Sequence, residues 1–401
     1  MRIGVISAHY MPEIGYQEVH LAKAYSRLGY TVKVFTSAAT VNLGGSINQL
    51  NYKTGLTTDA KYSYEILRLP SLSYKSKVLP FGLKKAVIDF NPDVLIILGV
   101  AKIFPIALLN SYFHNKLKIV SVYGDAKEYL DRGTFKQKIK TFIHELGYST
   151  IKHPLYKKAI KYGDKLILNI PETNQLFLDF LNEKEKTEFE SKKVMLNLGY
   201  DPDEYYYKSE DRNHIRNELN IDLNEIVIIT STRVNKRKKL EQIIELISKL
   251  NSNGKKVTYI IVGFLGDNYE NELKSFINKQ PYPKAFKCFP FLNAAEIRKL
   301  YCAADAGIWL KAAISIQEAM GTGLPVILEN KPSVNHLINE GKNGWFFTQQ
   351  TFNTIIEKVV DVLSENNFDR EKLANENSIK LSYDTIAQKI LNTVVNDKND
   401  I

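Results

Sequence analysis

Residues 232–239 read TRVNKRKK, and Leu240, Ile243, Ile244, Leu246 and Ile247 then recur at helical spacing. Cations gathered where a loop enters a helix suit a diphosphate. Arg233 offers a planar fork and Lys238 a compact point charge. A solvated basic turn is the alternative, although the run just before it, EIVIITS at 225–231, reads as a buried strand. A second stretch with chemical content is DAGIWLKAAISIQEAMGTGLPVILE at 305–329. There 306–310 reads as a short strand, 311–315 as a tight loop, Ser315 as the cap of a helix from Ile316 to about Met320, and LPVIL as another buried strand. Such a helix start leaves the backbone N–H groups of Ser315, Ile316 and Gln317 beside a positive dipole end, which suits an anion. Glu318 falls within the first turn or so, where a carboxylate can hold a ribose diol. It is equally well an ordinary helix-start charge in a βαβ unit.

Two further candidates lie upstream. MRIGVIS at 1–7 is a short apolar strand, followed by a loop, a helix over 19–28 and the strand YTVKVFT at 30–36, which together make a βαβ unit. Gly15 sits in its first loop. Tyr123-Gly124-Asp125 ends another strand, at the edge where open α/β sheets bind ligands. Asp125 is therefore a candidate to accept a hydrogen bond or a proton from an incoming hydroxyl, or else it caps the helix that follows.

In this order the pieces resemble the family 4 retaining glycosyltransferases, also called glycosyl transferases group 1. EAMGTGLPVI at 318–327 resembles the end of that family's nucleotide-sugar signature, which carries two Glu separated by seven residues. Glu318 reads as the second, and Leu310 stands where the first belongs. Arg233 and Lys238 have the spacing of the family's pyrophosphate-binding pair, and Gly15 remains of a Gly-Gly loop whose second place is Tyr16. LNLGYD at 196–201 resembles the family's interdomain hinge, and GKNGWFF at 341–347 its Asn-Gly turn and strand. The backbone around Phe289 would lie beside the nucleobase. Gly99-Val100 stands where the family often has a His, and His336 where it tends to have a further Glu.

The resemblance implies an α/β chain of GT-B fold, two Rossmann-like domains facing each other across a cleft. Residues 1–199 would form the acceptor side, completed by a helix over about 384–401, and 200–383 the nucleotide-sugar side. Implied too is a retaining, metal-independent transfer from a nucleoside diphosphate sugar, UDP favoured, to a glycan or lipid-linked acceptor of cell-surface polysaccharide such as lipopolysaccharide or capsule. Arg233, Lys238 and Asp125 would carry the chemistry, with Gly15, Phe289, Ser315, Ile316, Gln317 and Glu318 completing the donor site and no cofactor. The departures from the pattern support one alternative, a catalytically silent GT-B scaffold that binds nucleotide or a partner.

These sites need elements to hold them, and 401 residues suit two domains. The composition, 44% hydrophobic and 24% charged, is that of an ordinary globular protein. Cys288 and Cys302 have no metal-ligand spacing, and with no secretory signal before Met1-Arg2-Ile3 the expected home is a reducing cytoplasm. The most apolar run, 94–109, contains Lys102 and Pro105 and is too short to span a bilayer. A net charge of +10 invites nucleic acid, anionic membrane or anionic small molecules, but no nucleic-acid-binding signature accompanies it. The charge gathers at 136–165, where Lys136, Lys138, Lys140, Lys152, Lys157, Lys158 and Lys161 interleave with apolar residues. Such a segment can lie on the inner face of an anionic plasma membrane, or it is a plain solvated helix face. Residues 43–73 read as a surface excursion, 79–90 as a helix and 201–223 as a polar linker.

Overall fold

The computed structural model describes residues 1–40, 51–74, 77–99, 103–124, 150, 152–365 and 368–395. Two compact units emerge: Leu198–Thr385, and Met1–Asn197 together with Ile386–Ile401.

The first unit is built on β1 (Arg2–Ile6), β2 (Thr31–Ser37), β3 (Gly55–Thr58), β4 (Glu65–Leu69), a separate antiparallel hairpin of β5 (Ser71–Tyr74) and β6 (Lys77–Pro80), then β7 (Val94–Leu98), β8 (Lys118–Tyr123), β9 (Lys165–Leu168) and β10 (Lys193–Met195). Its main sheet runs β10-β9-β8-β7-β1-β2-β4-β3, parallel except for β3. All five residues of β7 are buried, as a strand covered on both faces requires. Strand order reverses between β1 and β7. The loops leaving those two strands therefore diverge and open a crevice at the carboxyl edge.

Three expectations are corrected here. The apolar piece expected within a surface excursion is β4, a strand of the main sheet paired with β2. Leu67 and Leu69 share the face packed on the unit's core, and Ile66 and Arg68 are buried on the other, a burial that outweighs the polar residues around the strand. The helix expected over 79–90 begins only at Leu83, because residues 77–80 are taken up by the hairpin. The stretch expected to be a linker contains the helix Ser209–Glu218, which buries Asp211, Ile215 and Arg216.

The second unit carries β11 (Ile226–Ser231), β12 (Val257–Phe264), β13 (Phe286–Pro290), β14 (Ala306–Trp309), β15 (Val326–Glu329) and β16 (Gly344–Phe347). They form one parallel sheet in the order β13-β12-β11-β14-β15-β16. Period-2 alternation divides the apolar residues between two cores. Ile226 and Ile228 of β11 face one core with Val257, Tyr259 and Ile261 of β12, while Val227, Ile229, Ile260 and Val262 face the other. Helices cover both faces, so the central strands β11 and β12 are buried along their whole length, whereas the edge strand β13 is only partly so. Order reverses between β11 and β14, which sets the loop 232–239 and the loop 310–314 side by side at one carboxyl edge.

Candidate active site

The carbonyl of Ser231, last residue of β11, is the junction of the second unit's site. It accepts a hydrogen bond from Trp309 Nε1 at 2.9 Å and from Ser315 Oγ at 2.6 Å, and the Ser231 hydroxyl bonds the Tyr301 hydroxyl. Ser315 thus ties the helix Ser315–Gly321 to the end of β11, where a helix cap was expected. Gly263 permits close approach from the other side: its φ is +116°, and an added Cβ would lie 2.0 Å from the Thr232 carbonyl oxygen. A side chain there would push out the backbone that carries Arg233.

Asn235 shapes the basic loop. Its side chain accepts from the Arg237 amide at 3.1 Å and donates to the Arg233 carbonyl at 3.0 Å, folding Lys236–Lys238 into a single 3-10 turn. Lys238 Nζ reaches across to the Ala312 carbonyl at 3.5 Å, joining the two loops. Burial first, then Arg237 and Lys311, lowers its pKa. Arg233 is exposed, and no acidic side chain pairs with it among the described residues.

Glu318 projects from the short helix and is half-buried. Burial pushes its pKa up to about 7, although a hydrogen bond from the Tyr205 hydroxyl favours the charged form. The helix amides are a correction to the sequence reading. Ile316 N–H donates to the Ala313 carbonyl at 3.2 Å, Gln317 N–H to Ile314 at 3.0 Å and Glu318 N–H to Ile314 at 3.3 Å. Ile314 is already helical, so the chain winds before Ser315 and the donors expected at Ile316 and Gln317 are spent. The Gln317 carboxamide faces the same two carbonyls. Phe289 lies at the end of β13, half-buried against one of the two cores.

The first unit has its own crevice at the β1/β7 reversal, a cleft of about 220 Å³ lined by Ser7, His9, Met11, Gln17, Gly99 and Tyr123 among others. Gly15 has φ +66°, and an added Cβ would meet the His20 ring at 3.1 Å. Gln17 and Asn169 pair their carboxamides at 2.9 and 3.4 Å beside the cleft. His9 was not singled out from the sequence, yet it lines this cleft together with Gly99. Its Nδ1 is 3.1 Å from the Ala39 carbonyl, which accepts and so fixes the ring's orientation. The signal available was a His three places beyond a first strand, too common to stand out. Asp125 and the lysines 136, 138 and 140 lie outside the described residues.

Sequence reasoning also passed over Tyr205, which touches Glu318 from within the supposed linker, and Lys311 and Lys331, which meet at the ends of β14 and β15. Nothing local marks them, since their partners are far away in sequence.

Residues 211–380 match the family model described as glycosyl transferases group 1. The chain is similar to two alpha-monoglucosyldiacylglycerol synthases. That of Acholeplasma laidlawii is 23% identical over 366 residues, covering 87% of this chain and 85% of the relative. That of Streptococcus pneumoniae (strain ATCC BAA-255 / R6) is 20% identical over 436 residues, covering 98% and 92%. Among solved structures, Anabaena HepE in complex with UDP-glucose superposes with a TM-score of 0.69 at 18% identity, covering 99% of this chain and 100% of that one. A sucrose-phosphate synthase from Thermosynechococcus elongatus gives 0.69 at 12% identity with both chains fully covered. At these identities the superpositions speak for the fold. A glycosyl transferases group 1 domain therefore occupies residues 211–380 of a chain whose fold is GT-B, two Rossmann-like domains, and which resembles the family 4 glycosyltransferases along its length.

Proposed function

We propose that the chain transfers a sugar, with retention at the anomeric carbon, from a UDP-sugar to a hydroxyl of a lipid or lipid-linked glycan. The observation that carries this is the convergence at the β11/β14 reversal: Arg233 and Lys238 on one loop, with Lys238 touching the other loop, and Glu318 on the helix that follows it. The diphosphate is the group whose charge grows as the sugar leaves. Arg233 and Lys238 would neutralise it with charge already in place, the electrostatic assistance that lowers such barriers most. They supply the compensation that a divalent ion gives elsewhere, so the transfer is proposed to be metal-independent. Glu318, ionised, would accept from both ribose hydroxyls. His9 and the first unit's cleft are assigned to the acceptor hydroxyl. UDP is favoured because HepE was solved with UDP-glucose, and a lipid acceptor because both relatives are alpha-monoglucosyldiacylglycerol synthases, named for a glycolipid product.

A thermal-shift titration with UDP and GDP tests the donor assignment, because a ligand of the folded state raises the midpoint with the logarithm of its concentration. UDP is expected to raise it. Arg233→Ala is expected to weaken UDP by roughly tenfold, about 1.4 kcal/mol for one charge-assisted bond. No shift with either nucleotide, or an unchanged shift in Arg233→Ala, would overturn the assignment.

A lipid acceptor requires access to a bilayer, and no helix among the described residues is long and apolar enough to cross one. Peripheral binding is therefore proposed, through the hairpin of the first unit. Register pairs Leu72 with Leu79 and Tyr74 with Lys77 on one face, while Val78 points inward and is fully buried. The outward face leaves Leu72 65% and Tyr74 71% exposed, with Lys84 and Lys116 set over the Tyr112 ring nearby. Apolar and aromatic tips with a lysine rim suit an anionic surface. Flotation with phosphatidylglycerol vesicles should carry the protein upward at low salt, and a Leu72→Ser/Leu79→Ser variant should stay behind. Equal flotation of the two proteins would count against the hairpin.

A further inference from the structure

The second unit holds a cavity of about 450 Å³ where the helices Leu240–Ser252 and Phe352–Glu365 meet the ends of β14, β15 and β16, and none of its lining residues is assigned to the donor. Leu246, Leu310 and Phe347 give it apolar walls, and around them stand four carboxamides, Gln242, Gln349, Gln350 and Asn353. Among the described residues none hydrogen-bonds to these four side chains. The backbone nevertheless sets their places. Gln242 shares one stripe of its helix with Glu245, Leu246 and Lys249, at i, i+3, i+4 and i+7. Gln349 and Gln350 are the middle residues of a turn closed on both sides: Thr348 N–H donates to Thr351 Oγ1 at 2.9 Å, and Thr351 N–H to Thr348 Oγ1 at 3.3 Å. Phe352 then packs its ring edge-on against Phe347, with centroids 5.0 Å apart, which fixes the helix turn that carries Asn353. Lys239 at the rim is held at φ +54°, a left-handed strain of the kind that proteins concentrate at binding sites.

Lys239 and Lys249 are matched by Glu245 and Glu329, so the lining carries no net charge. Lys249 and Glu329 are also paired outside it, with Glu357 at 3.3 Å and Lys331 at 2.8 Å. A phosphate or carboxylate would meet two carboxylates as well as two ammonium groups, so the cavity does not select an anion. An apolar ligand would desolvate four carboxamides and give them no partner. An uncharged molecule rich in hydroxyls satisfies them, because each carboxamide offers two donors and an acceptor oxygen and a hydroxyl can answer either. A pyranose has such hydroxyls around its edge and C–H faces to set against Leu246, Leu310 and Phe347. The volume falls within the range of small-molecule sites, about 300–1,000 Å³.

We propose that this cavity binds an uncharged saccharide, a sugar of a glycan rather than the sugar of the donor. The site is independent of Arg233, Lys238 and Glu318, and stands whether or not they hold UDP. Saturation-transfer NMR with glucose, galactose, maltose and lactose tests it on the wild type, Gln242→Ala/Asn353→Ala and Gln349→Ala/Gln350→Ala, with thermal midpoints as the check on folding. At least one of the four sugars is expected to bind, with a millimolar dissociation constant. Each double variant should weaken that sugar about tenfold, the worth of two neutral hydrogen bonds, and leave UDP affinity unchanged. Transfer should persist in Arg233→Ala and in the presence of UDP-glucose. Absence of transfer to all four sugars overturns the proposal, as does transfer that survives both double variants. Loss of transfer on adding UDP-glucose or in Arg233→Ala would put the sugar in the donor site, and displacement by inorganic phosphate would make the cavity an anion site. Either result also overturns the proposal.

Discussion

Asp305→Ala is expected to lower the stability of the second unit by about 3–5 kcal/mol, the usual cost of leaving a buried charge without its partner. Asp305 Oδ2 accepts from Arg216 Nη2 at 2.6 Å and from the Val227 amide at 2.7 Å, and Oδ1 accepts from Arg212 Nη2 at 2.5 Å. Arg216 is wholly buried. Its remaining donors go to the carbonyls of Ala303, Asp222, Leu223 and Glu225, none of which carries a compensating charge. Truncation would therefore leave a desolvated guanidinium and an orphaned amide at the start of β11, the strand that presents Arg233. Denaturant titration measures the effect, and Asp305→Asn, which keeps an acceptor for Val227, should fall between wild type and alanine. A loss below about 1 kcal/mol in Asp305→Ala, the range of solvated surface pairs, would show the account wrong. Replacement of all three ionic residues by apolar ones is a different experiment, since a buried triad is weak evidence of net stabilisation.

Glu318→Gln should move stability and binding in opposite directions. The carboxyl's pKa is raised from 4.5 to about 7 in the folded state. The folded protein thus retains a proton that the unfolded chain releases, and stability falls as pH rises between those two values. Above pH 7 the ionised group costs about 3 kcal/mol by that shift. The carboxamide cannot ionise, so the variant should be more stable than wild type at pH 8, by roughly 2 kcal/mol, and close to it at pH 5. UDP should bind the variant about 30-fold more weakly at pH 8, about 2 kcal/mol for a charged acceptor replaced by a neutral one. In the wild type UDP affinity should rise with pH through 7, as the carboxylate forms. Stability midpoints and UDP titrations at pH 5, 7 and 8 separate these outcomes. A variant that is less stable at pH 8, or that binds UDP as tightly as wild type, would sever Glu318 from the ribose. A group that costs stability when charged and binds ligand when charged is the pattern expected of a functional carboxylate.

Much of the fold could be read from the chain alone. EIVIITS, VTYIIVGF and PDVLIIL are strands because a short, uninterrupted apolar run bounded by turn residues has few other ways to bury itself. Arg233 and Lys238 were visible for a related reason: they follow the first strand of their unit directly, so their placement at a carboxyl edge is a local consequence of chain order. The reversal of strand order that makes each crevice needed the pairing of β11 with β14 and of β1 with β7, which no single segment encodes.

What escaped the sequence shares one physical feature, dependence on partners distant along the chain. Ser315 looked like a cap because its neighbours are helical, yet its hydroxyl donates to Ser231, and a turn at Ala313–Ile314 takes the amides it was meant to leave open. Residues 201–223 looked like a linker because they are polar, whereas Arg212 and Arg216 are spent on Asp305 and Tyr205 on Glu318. The sequence by itself determined the α/β class, most of the strands and the place of the basic loop 232–239, since periodicity and turn chemistry act over a few residues. Only the tertiary structure decided which carboxylate is held near neutrality and which lysines are forced together. Burial and mutual charge are properties of what the fold packs around a group, and a residue's neighbours in sequence do not supply them.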